Sequence, residues 1–302
     1  MIGMQRLMSG LPALAAAALL TASASPATAS DLVGRMGIHV ASYEDTLLEV
    51  ARQFDLGFVE MRAANPEIDP WLPGAGRHIL LPSAHLLPDA PREGVVINLA
   101  EMRLYYFPTA GAEPQTFPIG IGREGWTTPV GQTTVVRKKV GPAWYPPASI
   151  RAEKPYLPAV VEPGPDNPLG THAVYLGWPA YLIHGTNNPW GIGRRVSSGC
   201  IRMYPEDIIS LFGMVPVGTK VTVVDQPIKF GLVDGDLYIE VHPSQTQVDM
   251  LETEGRFEQE VPEGVLTEAR GRTESAEGVM LNVAATLQAV KERRGYPVRI
   301  SR

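Results

Sequence analysis

Residues 95–108, VVINLAEMRLYYFP, decide the fold class of this 302-residue chain. Two runs of branched and aromatic side chains, 95–98 and 102–107, flank a short turn, a pattern typical of paired β-strands. Five more runs of this kind follow, separated by turns rich in Gly and Pro: residues 115–121, 132–139, 173–176, 181–184 and 220–224. Seven short strands predict a mainly β domain over residues 94–226, built as a β-sandwich or a barrel.

A helix and a proline-rich segment interrupt these strands. Residues 205–212 are predicted to be helical, because Pro205 suits a first turn and Gly213 follows the last apolar position. Residues 142–168 contain eight prolines, too many for a central strand. We expect this segment to be an ordered loop that covers one face of the sheet.

A smaller unit is predicted at residues 36–83, where two short helices lie between two short strands. The apolar runs 38–40 and 79–81 supply the strands. Asp45 is the predicted cap of the first helix, and Gly57 separates this helix from the second. The pattern therefore predicts a compact βααβ unit ahead of the β domain.

A C-terminal extension covers residues 227–302. A hairpin is predicted around Asp234 and Gly235, the pair of residues that favours a two-residue turn. Residues 252–277 hold eight Glu and are expected to be solvated surface, and residues 278–294 form a predicted helix. The sequence assigns no function to this extension.

The first 29 residues have the three parts of a secretory signal. Arg6 precedes an apolar run at residues 7–20, and the small residues 27–29, ATA, match a cleavage site. The apolar run is too short for a membrane-spanning helix. We expect cleavage after residue 29, so that an exported mature chain begins at Ser30.

Charge and cysteine content exclude several functional classes. The chain carries 26 Lys and Arg against 32 Asp and Glu, a net charge of −6, whereas nucleic-acid-binding domains usually carry a basic excess. Cys200 is the only cysteine, which excludes an internal disulfide, a multi-cysteine zinc site and an iron–sulfur cluster.

One stretch, IHGTNNPWGIGRRVSSGCIRMYPED from Ile183, carries the residues suited to catalysis. Cys200 follows His184 by 16 residues, and an imidazole near a thiol can take its proton to create a nucleophilic thiolate. The carbonyl of Gly185 is a candidate to orient the imidazole. The stretch predicts a catalytic Cys200–His184 pair.

The turn before the cysteine adds a possible oxyanion site. Gly199 leaves room for a substrate carbonyl, and the backbone N–H groups of residues 198–200 could stabilise a developing oxyanion. Ser197 is a poor alternative nucleophile because it lacks a base at a recognisable spacing. Arg194 and Arg195 are expected to be solvated surface charges rather than ligands of a substrate carboxylate. The remaining histidines show no metal-ligand spacing; they are His39, His78, His85, His172 and His242.

This stretch resembles the active-site signature of the YkuD-type L,D-transpeptidases, His-Gly-Thr and then, after a gap, Ser-x-Gly-Cys-(Ile/Val)-Arg-(Met/Leu). The matching residues are His184-Gly185-Thr186 and Ser197-Ser198-Gly199-Cys200-Ile201-Arg202-Met203. The segments VVINLAEMRLYYFP, IGREGWTTPVGQTTV, AWYPPASIR and NPLGTHAVYL also resemble this family. Many members have His at the position of Ser198.

The smaller unit resembles a different module. The segment HVASYEDTLLEVARQFDLGFVEMRAANPEIDPWLPGAGRHILLP, within residues 36–83, is similar to a LysM module, which binds the glycan strands of peptidoglycan. The usual Gly-Asp-Thr-Leu reads Glu44-Asp45-Thr46-Leu47 here. The alternative is a small helical cap docked on the next domain. Since the unit carries no part of the catalytic signature, we expect deletion of residues 36–83 to lower affinity for intact sacculi and to leave turnover of a soluble tetrapeptide largely unchanged.

The resemblance implies a β-sandwich catalytic domain with Cys200 as nucleophile, His184 as general base and the Gly185 carbonyl orienting the imidazole. It implies neither a metal nor a cofactor. The substrate-binding residues that it implies are Thr186, Ser197, Ser198, Gly199 and Arg202. Arg202 would hold either a donor carboxylate or the active-site turn.

The implied reaction takes place on peptidoglycan in the periplasm. The thiolate would attack the bond between diaminopimelate and D-Ala in a tetrapeptide stem, and an amine would resolve the thioester. The acceptor is either a second diaminopimelate or the C-terminal Lys of an outer-membrane lipoprotein. Two alternatives stay open. One is a cell-wall cysteine endopeptidase or carboxypeptidase that uses water, and the other is a non-catalytic peptidoglycan-binding protein.

Overall fold

The computed structural model describes residues 30–274 and 279–302, so the predicted signal at residues 1–29 lies outside the described residues. The strands are β1 (Leu32–Gly34), β2 (Gly37–Val40), β3 (His78–Leu81), β4 (Ala84–Leu86), β5 (Gly94–Asn98), β6 (Arg103–Phe107), β7 (Gln115–Pro118), β8 (Ile121–Gly122), β9 (Gly131–Val140), β10 (His172–Leu176), β11 (Leu182–His184), β12 (Arg195–Ser197), β13 (Ile201–Arg202), β14 (Lys220–Val224), β15 (Ile228–Val233), β16 (Asp236–Val241) and β17 (Val298–Arg299). The helices are α1 (Leu47–Gln53), α2 (Phe58–Ala64), α3 (Ala148–Glu153), α4 (Pro205–Met214), α5 (Gln245–Glu254), α6 (Val265–Glu274) and α7 (Val283–Glu292). Within the two described ranges, we find no helix with the length and apolar character to cross a membrane.

Eight strands form one mixed sheet, in the order β13-β11-β10-β9-β14-β5-β6-β7. The sheet curls until its two edges meet. Gly120, just after β7, exchanges two 2.9 Å backbone hydrogen bonds with Arg202 of β13. The predicted mainly β domain is therefore confirmed, and each predicted strand region contains a strand. Eight of its strands form the curled sheet, and β8 pairs with β12 in a separate two-stranded sheet.

One hydrophobic core fills the inside of the curled sheet. It combines side chains from both ends of the strand order, such as Tyr106 of β6 and Ile201 of β13, which only a curled sheet can bring together. Helix α4 closes the core with Ile208 and Leu211, both fully buried. The helix continues past Gly213, contrary to prediction, because no steric or hydrogen-bonding signal at that glycine stops it.

The N-terminal unit consists of strands β2 and β3, which pair in antiparallel fashion, and the two helices between them. Thr46, not the predicted Asp45, caps α1: its hydroxyl accepts from the N–H of Glu49, whose carboxylate accepts from the N–H of Thr46. Asp45 instead binds the ring of His39 at 2.7 Å. The unit has its own small core around Leu47.

This unit is docked on the β domain. Val59 and Ala63 of α2 belong to the core of the curled sheet, and the hydroxyl of Tyr204 donates to the carbonyl of Leu56 at 3.1 Å. Deleting residues 36–83 would expose part of that core. The structure therefore argues against the expectation that the unit can be removed without effect on turnover.

The C-terminal extension is more ordered than the sequence indicates. The hairpin β15–β16 forms around Asp234 and Gly235 as predicted, and β17 adds a third strand. The acidic segment, expected to be solvated surface, carries the end of α5 and all of α6. Val248 and Leu251 of α5 reach the core of the curled sheet, which explains why this helix is ordered.

A buried ionic cluster joins the three parts of the chain. The ammonium of Lys229 on β15 lies 2.5 Å from Glu101 and 2.8 Å from Glu240, and all three side chains are buried. Nearby, Arg103 of β6 binds Glu60 of α2 at 2.8 Å. Burial alone would lower the pKa of Lys229, but the two carboxylates outweigh it and raise the pKa.

Candidate active site

Strands β11 and β13 bring the two predicted catalytic residues together. The strands are parallel neighbours in which Ile183 pairs with Ile201 and His184 pairs with Arg202. Cys200, which immediately precedes β13, therefore lies beside Leu182, the first residue of β11. The side chains of His184 and Cys200 line one cleft of about 910 Å³.

His184 is held in the tautomer that a general base needs. Its Nδ1 lies 2.6 Å from the carbonyl oxygen of Gly185. Because a carbonyl oxygen can only accept, Nδ1 carries the hydrogen, and Nε2 keeps a lone pair that can take a proton. Burial, with a smaller contribution from the Arg202 charge, lowers the pKa of His184 from its ordinary 6.5 to about 4. The imidazole is therefore neutral at pH 7.

The thiol of Cys200 is also neutral in this state. Its Sγ lies 3.5 Å from the carbonyl oxygen of Ala180, an acceptor that suits the protonated sulfur. Burial raises the pKa of the thiol, against smaller opposing effects of the Leu182 N–H and of Arg202. The thiol and the imidazole are thus both neutral, so a reaction that uses the thiolate requires a proton transfer from the thiol to the imidazole.

Side-chain hydroxyls hold the turn that carries the cysteine. Ser197 donates to the carbonyl of Cys200 at 2.5 Å, and Thr128 donates to the carbonyl of Gly199 at 2.8 Å. Gly199 has a φ of +97°, a conformation that side chains disfavour. Among the described residues, no backbone hydrogen bond uses the N–H groups of residues 198–200. Thr128 lies in a segment that resembles the family, but no motif in the sequence marks it as part of the site.

Of the five predicted substrate-binding residues, Gly199 belongs to the turn just described, and the other four divide into two groups. Ser197, Ser198 and Arg202 line the cleft with the cysteine. Thr186 is buried, and its hydroxyl accepts from the N–H of Asn188 at 3.0 Å and donates to the same residue's carbonyl. This position makes Thr186 a loop-shaping residue rather than a substrate ligand.

The proline-rich segment forms one wall of the cleft. As predicted it is an ordered loop, although it includes the short helix α3. Asn167, which is fully buried, donates to the carbonyls of Pro142, Val161 and Glu162 and accepts from the N–H of Leu169. One amide side chain thus satisfies backbone groups that no sheet or helix pairs.

Positive charge dominates the lining of the cleft. The charged side chains that line it, apart from the acid Asp166, are those of Arg137, Lys139, Lys154 and Arg202. The guanidinium of Arg137 stacks 3.7 Å from the ring centre of Tyr175, which fixes its direction. In the described part of the chain, no carboxylate forms an ion pair with Arg202. The cleft therefore suits an anionic substrate.

Arg194 and Arg195 do not have the role expected from the sequence. Arg194 donates to Glu252 from Nε at 2.8 Å, and Arg195 donates to Asp249 at 2.9 Å. Both carboxylates belong to α5. The two arginines are thus partly buried partners of the C-terminal extension and neither solvated charges nor cleft ligands.

One group of side chains outside the cleft has atoms suited to a metal ion. His85, Glu101 and Glu240 each place a ligand atom within 4.8 Å of the others, although sequence spacing gives no sign of this. The ammonium of Lys229 already binds both carboxylates. A cation is therefore present between them, and the group is better described as part of the buried ionic cluster.

Comparisons with known proteins identify the family of this chain. A family model of the YkuD L,D-transpeptidase catalytic domain matches residues 92–223. The Escherichia coli K12 protein named "Probable L,D-transpeptidase YbiS" is 43% identical over 287 residues, which cover 91% of this chain and 90% of YbiS. The K12 protein named "Probable L,D-transpeptidase YcfS" is 46% identical over 235 residues, covering 74% and 73% of the two chains. A protein at this identity over nearly its full length shares its family, and this chain belongs to the YkuD family of L,D-transpeptidases.

Proposed function

We propose that this protein is a peptidoglycan L,D-transpeptidase with Cys200 as its nucleophile and His184 as its general base. The observation that carries the proposal is the hydrogen bond that fixes the tautomer of His184, a residue that lines the same cleft as the only thiol of the chain. Family membership supports the transpeptidase activity, and the neutral thiol–imidazole pair supports the mechanism.

Acylation begins with a proton transfer. His184 takes the proton of the Cys200 thiol at Nε2, and the sulfur attacks the carbonyl carbon between diaminopimelate and D-Ala. The resulting oxyanion accepts hydrogen bonds from the N–H groups of residues 198–200. The imidazolium then gives its proton to the departing D-Ala amine, which leaves a thioester on Cys200.

An amine acceptor completes the reaction. The acceptor nitrogen attacks the thioester carbonyl and gives a proton to His184, which passes it to the departing sulfur of Cys200. A new amide bond forms and the thiol is regenerated. Both proposed acceptors, a second diaminopimelate and the C-terminal Lys of an outer-membrane lipoprotein, supply such an amine.

The basic lining of the cleft supports a peptide stem as donor, since each stem carries several carboxylates. Arg202 lines the cleft without a carboxylate partner among the described residues, which favours binding of a donor carboxylate over a purely structural role. We assign Arg202 to the donor carboxylate. Ser198 lines the same surface, which supports a contact with the stem.

The N-terminal unit is proposed to bind glycan strands. Tyr43, Trp71 and Leu72 are strongly exposed, with 84%, 60% and 77% of their surface accessible. They lie on adjacent loops, which are tied by a 2.8 Å hydrogen bond from the N–H of Leu47 to the carbonyl of Pro70. Exposed aromatic faces of this kind can pack against sugar rings. Trp71→Ala should lower retention on isolated sacculi without lowering turnover of a soluble tetrapeptide.

Export to the periplasm through a signal cleaved after residue 29 completes the proposal. Sequencing the N-terminus of the protein recovered from the periplasm should give Ser30 as its first residue. An intact Met1 on protein held in the membrane would contradict it.

The decisive experiment is mass spectrometry of the intact protein after exposure to a carbapenem, whose strained amide replaces the scissile bond. The wild type should gain one covalent adduct on the peptide that contains Cys200, and Cys200→Ala should gain none. His184→Ala should be acylated slowly at pH 7, with partial recovery at higher pH, where the thiol ionises unaided. An adduct that persists in Cys200→Ala would overturn the mechanism.

The same preparation separates the alternative functions. A tetrapeptide donor with an added amine should yield an amide product, whereas a hydrolase would release tripeptide at the same rate with or without amine. A non-catalytic binding protein would form neither a thioester nor a product. Muramidase-digested sacculi from cells with and without the gene would show whether the missing bond joins two stems or a stem and a lipoprotein.

A further inference from the structure

The chain between the base and the nucleophile, residues 185–199, is called the catalytic loop here. Its only regular structure is a single 3-10 turn at Pro189–Gly191 and the short strand β12. Such a loop takes its geometry from the contacts around it. Acylation depends on that geometry, because the imidazole, the thiol and the oxyanion donors must meet the substrate together.

The N-terminal unit contacts the catalytic loop through backbone groups. The N–H of Phe58 donates to the carbonyl of Ile192 at 3.4 Å, and the N–H of Val59 donates to the carbonyl of Gly193 at 3.1 Å. Both donors lie in the first turn of α2, where N–H groups have no partner within the helix. The catalytic loop therefore completes the hydrogen bonding of this helix.

The approach of these two backbones is very close. A Cβ added at Gly193 would lie 2.2 Å from the Cα of Gly57, and Gly193 also has a φ of +71°. A Cβ at Gly57 would lie 2.8 Å from the Cα of Gly193. The catalytic loop and the start of α2 can be in direct contact because both residues at the point of approach, Gly57 and Gly193, are glycines.

Arg194 connects this contact to the C-terminal extension. Its guanidinium binds Glu252 of α5 and lies 5.3 Å from the ring centre of Phe58 of α2. Its carbonyl accepts from the N–H of Ile121 in β8 at 3.1 Å. One residue of the catalytic loop thus contacts a helix from each flanking part of the chain and a strand of the catalytic domain.

We propose that Arg194 is a positioning residue for acylation, acting through its ion pair with Glu252 and its contact with Phe58. Through these contacts the N-terminal unit and α5 together set the geometry of the catalytic loop. The inference rests on the proposed function, because it concerns the rate at which Cys200 is acylated.

The test is a double-mutant cycle on the full mature chain, with Arg194→Ala, Glu252→Ala and the double variant. The second-order rate constant for acylation by a carbapenem is followed by intact mass, well below each variant's thermal midpoint. Each single substitution should lower the rate constant about tenfold. The double variant should be no slower than either single variant, because both substitutions remove the same ion pair. Arg194→Lys should recover part of the rate, since it keeps the cation.

A matched control is available in the same molecule. Arg52 of α1 binds Glu206 of α4 at 2.8 Å and so joins the N-terminal unit to the catalytic domain without touching the catalytic loop. Arg52→Ala should leave the rate constant within about twofold of the wild type, as expected for an exposed ion pair. Arg194→Ala should lower the rate of Cys200 alkylation by iodoacetamide much less than it lowers the rate of acylation, because alkylation needs no oxyanion donors.

The outcomes are distinguishable. Acylation of Arg194→Ala at the wild-type rate, or additive losses in the double variant, would overturn the positioning role while leaving the proposed function intact. A loss equal to that of Arg52→Ala would also overturn it, because the effect would then be general destabilisation. If the wild type itself forms no adduct, the proposed function fails instead.

Discussion

The pH dependence of acylation should show a base with a strongly lowered pKa. His184 is buried beside Arg202, and these two causes bring its pKa from 6.5 to about 4. At pH 5.5 an ordinary imidazole is only about one-tenth neutral, whereas a group with a pKa near 4 is almost entirely neutral. Lowering the pH from 7 to 5.5 should therefore leave the acylation rate nearly unchanged instead of reducing it about tenfold.

The assay is the second-order rate constant for carbapenem acylation between pH 4 and pH 8, measured by intact mass. The acidic limb should have its midpoint near pH 4. Arg202→Gln should move this limb towards higher pH, because it removes a positive charge that disfavours the imidazolium. A wild-type midpoint near 6.5 would refute the reasoning, since it would mean that His184 is not desolvated as the structure indicates.

The same shift predicts a pH-dependent contribution to stability. Because the pKa of His184 is lower in the folded than in the unfolded chain, its contribution is complete above pH 6.5 and is lost as the pH falls towards 4. A shift of this size corresponds to about 3 kcal/mol in the free energy of unfolding. His184→Gln removes the titrating group, so the difference in unfolding free energy between variant and wild type should change across this window. A constant difference would contradict the prediction.

Three further substitutions test the contacts that hold the fold. Lys229→Met should lower the free energy of unfolding, measured by urea denaturation, by about 3–5 kcal/mol, because two buried carboxylates lose their cation. A loss below about 1 kcal/mol would contradict this prediction. Asn167→Ala should lower the free energy of unfolding by about 2 kcal/mol or more and make residues 142–168 sensitive to limited proteolysis. A loop that stays uncut would show that other contacts order it. Gly193→Ala should cost roughly 2–4 kcal/mol, because its Cβ would meet backbone atoms at the start of α2. Gly213→Ala, which lies within α4 with open space around it, should be neutral or stabilising by up to about 1 kcal/mol. Equal thermal midpoints for the two variants would contradict this prediction.

Much of the fold and of the candidate site could be predicted from the sequence, because the relevant signals are local. Strands β5 and β6 follow from the branched and aromatic runs of residues 95–107, since side chains alternate along a strand whatever its partners are. Cys200 and the turn before it could be predicted as the candidate nucleophile, because the chain offers no other thiol. Even the contact between His184 and the next residue's carbonyl is local and could be expected.

Only the tertiary structure determined the contacts between residues that lie far apart in the chain. Arg194 forms an ion pair with Glu252, which lies 58 positions later in the chain, and no periodicity or motif predicts such a pair. For the same reason the cluster around Lys229 and the closure of the sheet between Gly120 and Arg202 had no sequence signal. Composition made the acidic segment look solvated, but the apolar side of α5 packs into the core and brings Glu252 to the catalytic loop. Local propensity specifies which elements form, whereas burial of their apolar faces specifies where they dock and which charges meet.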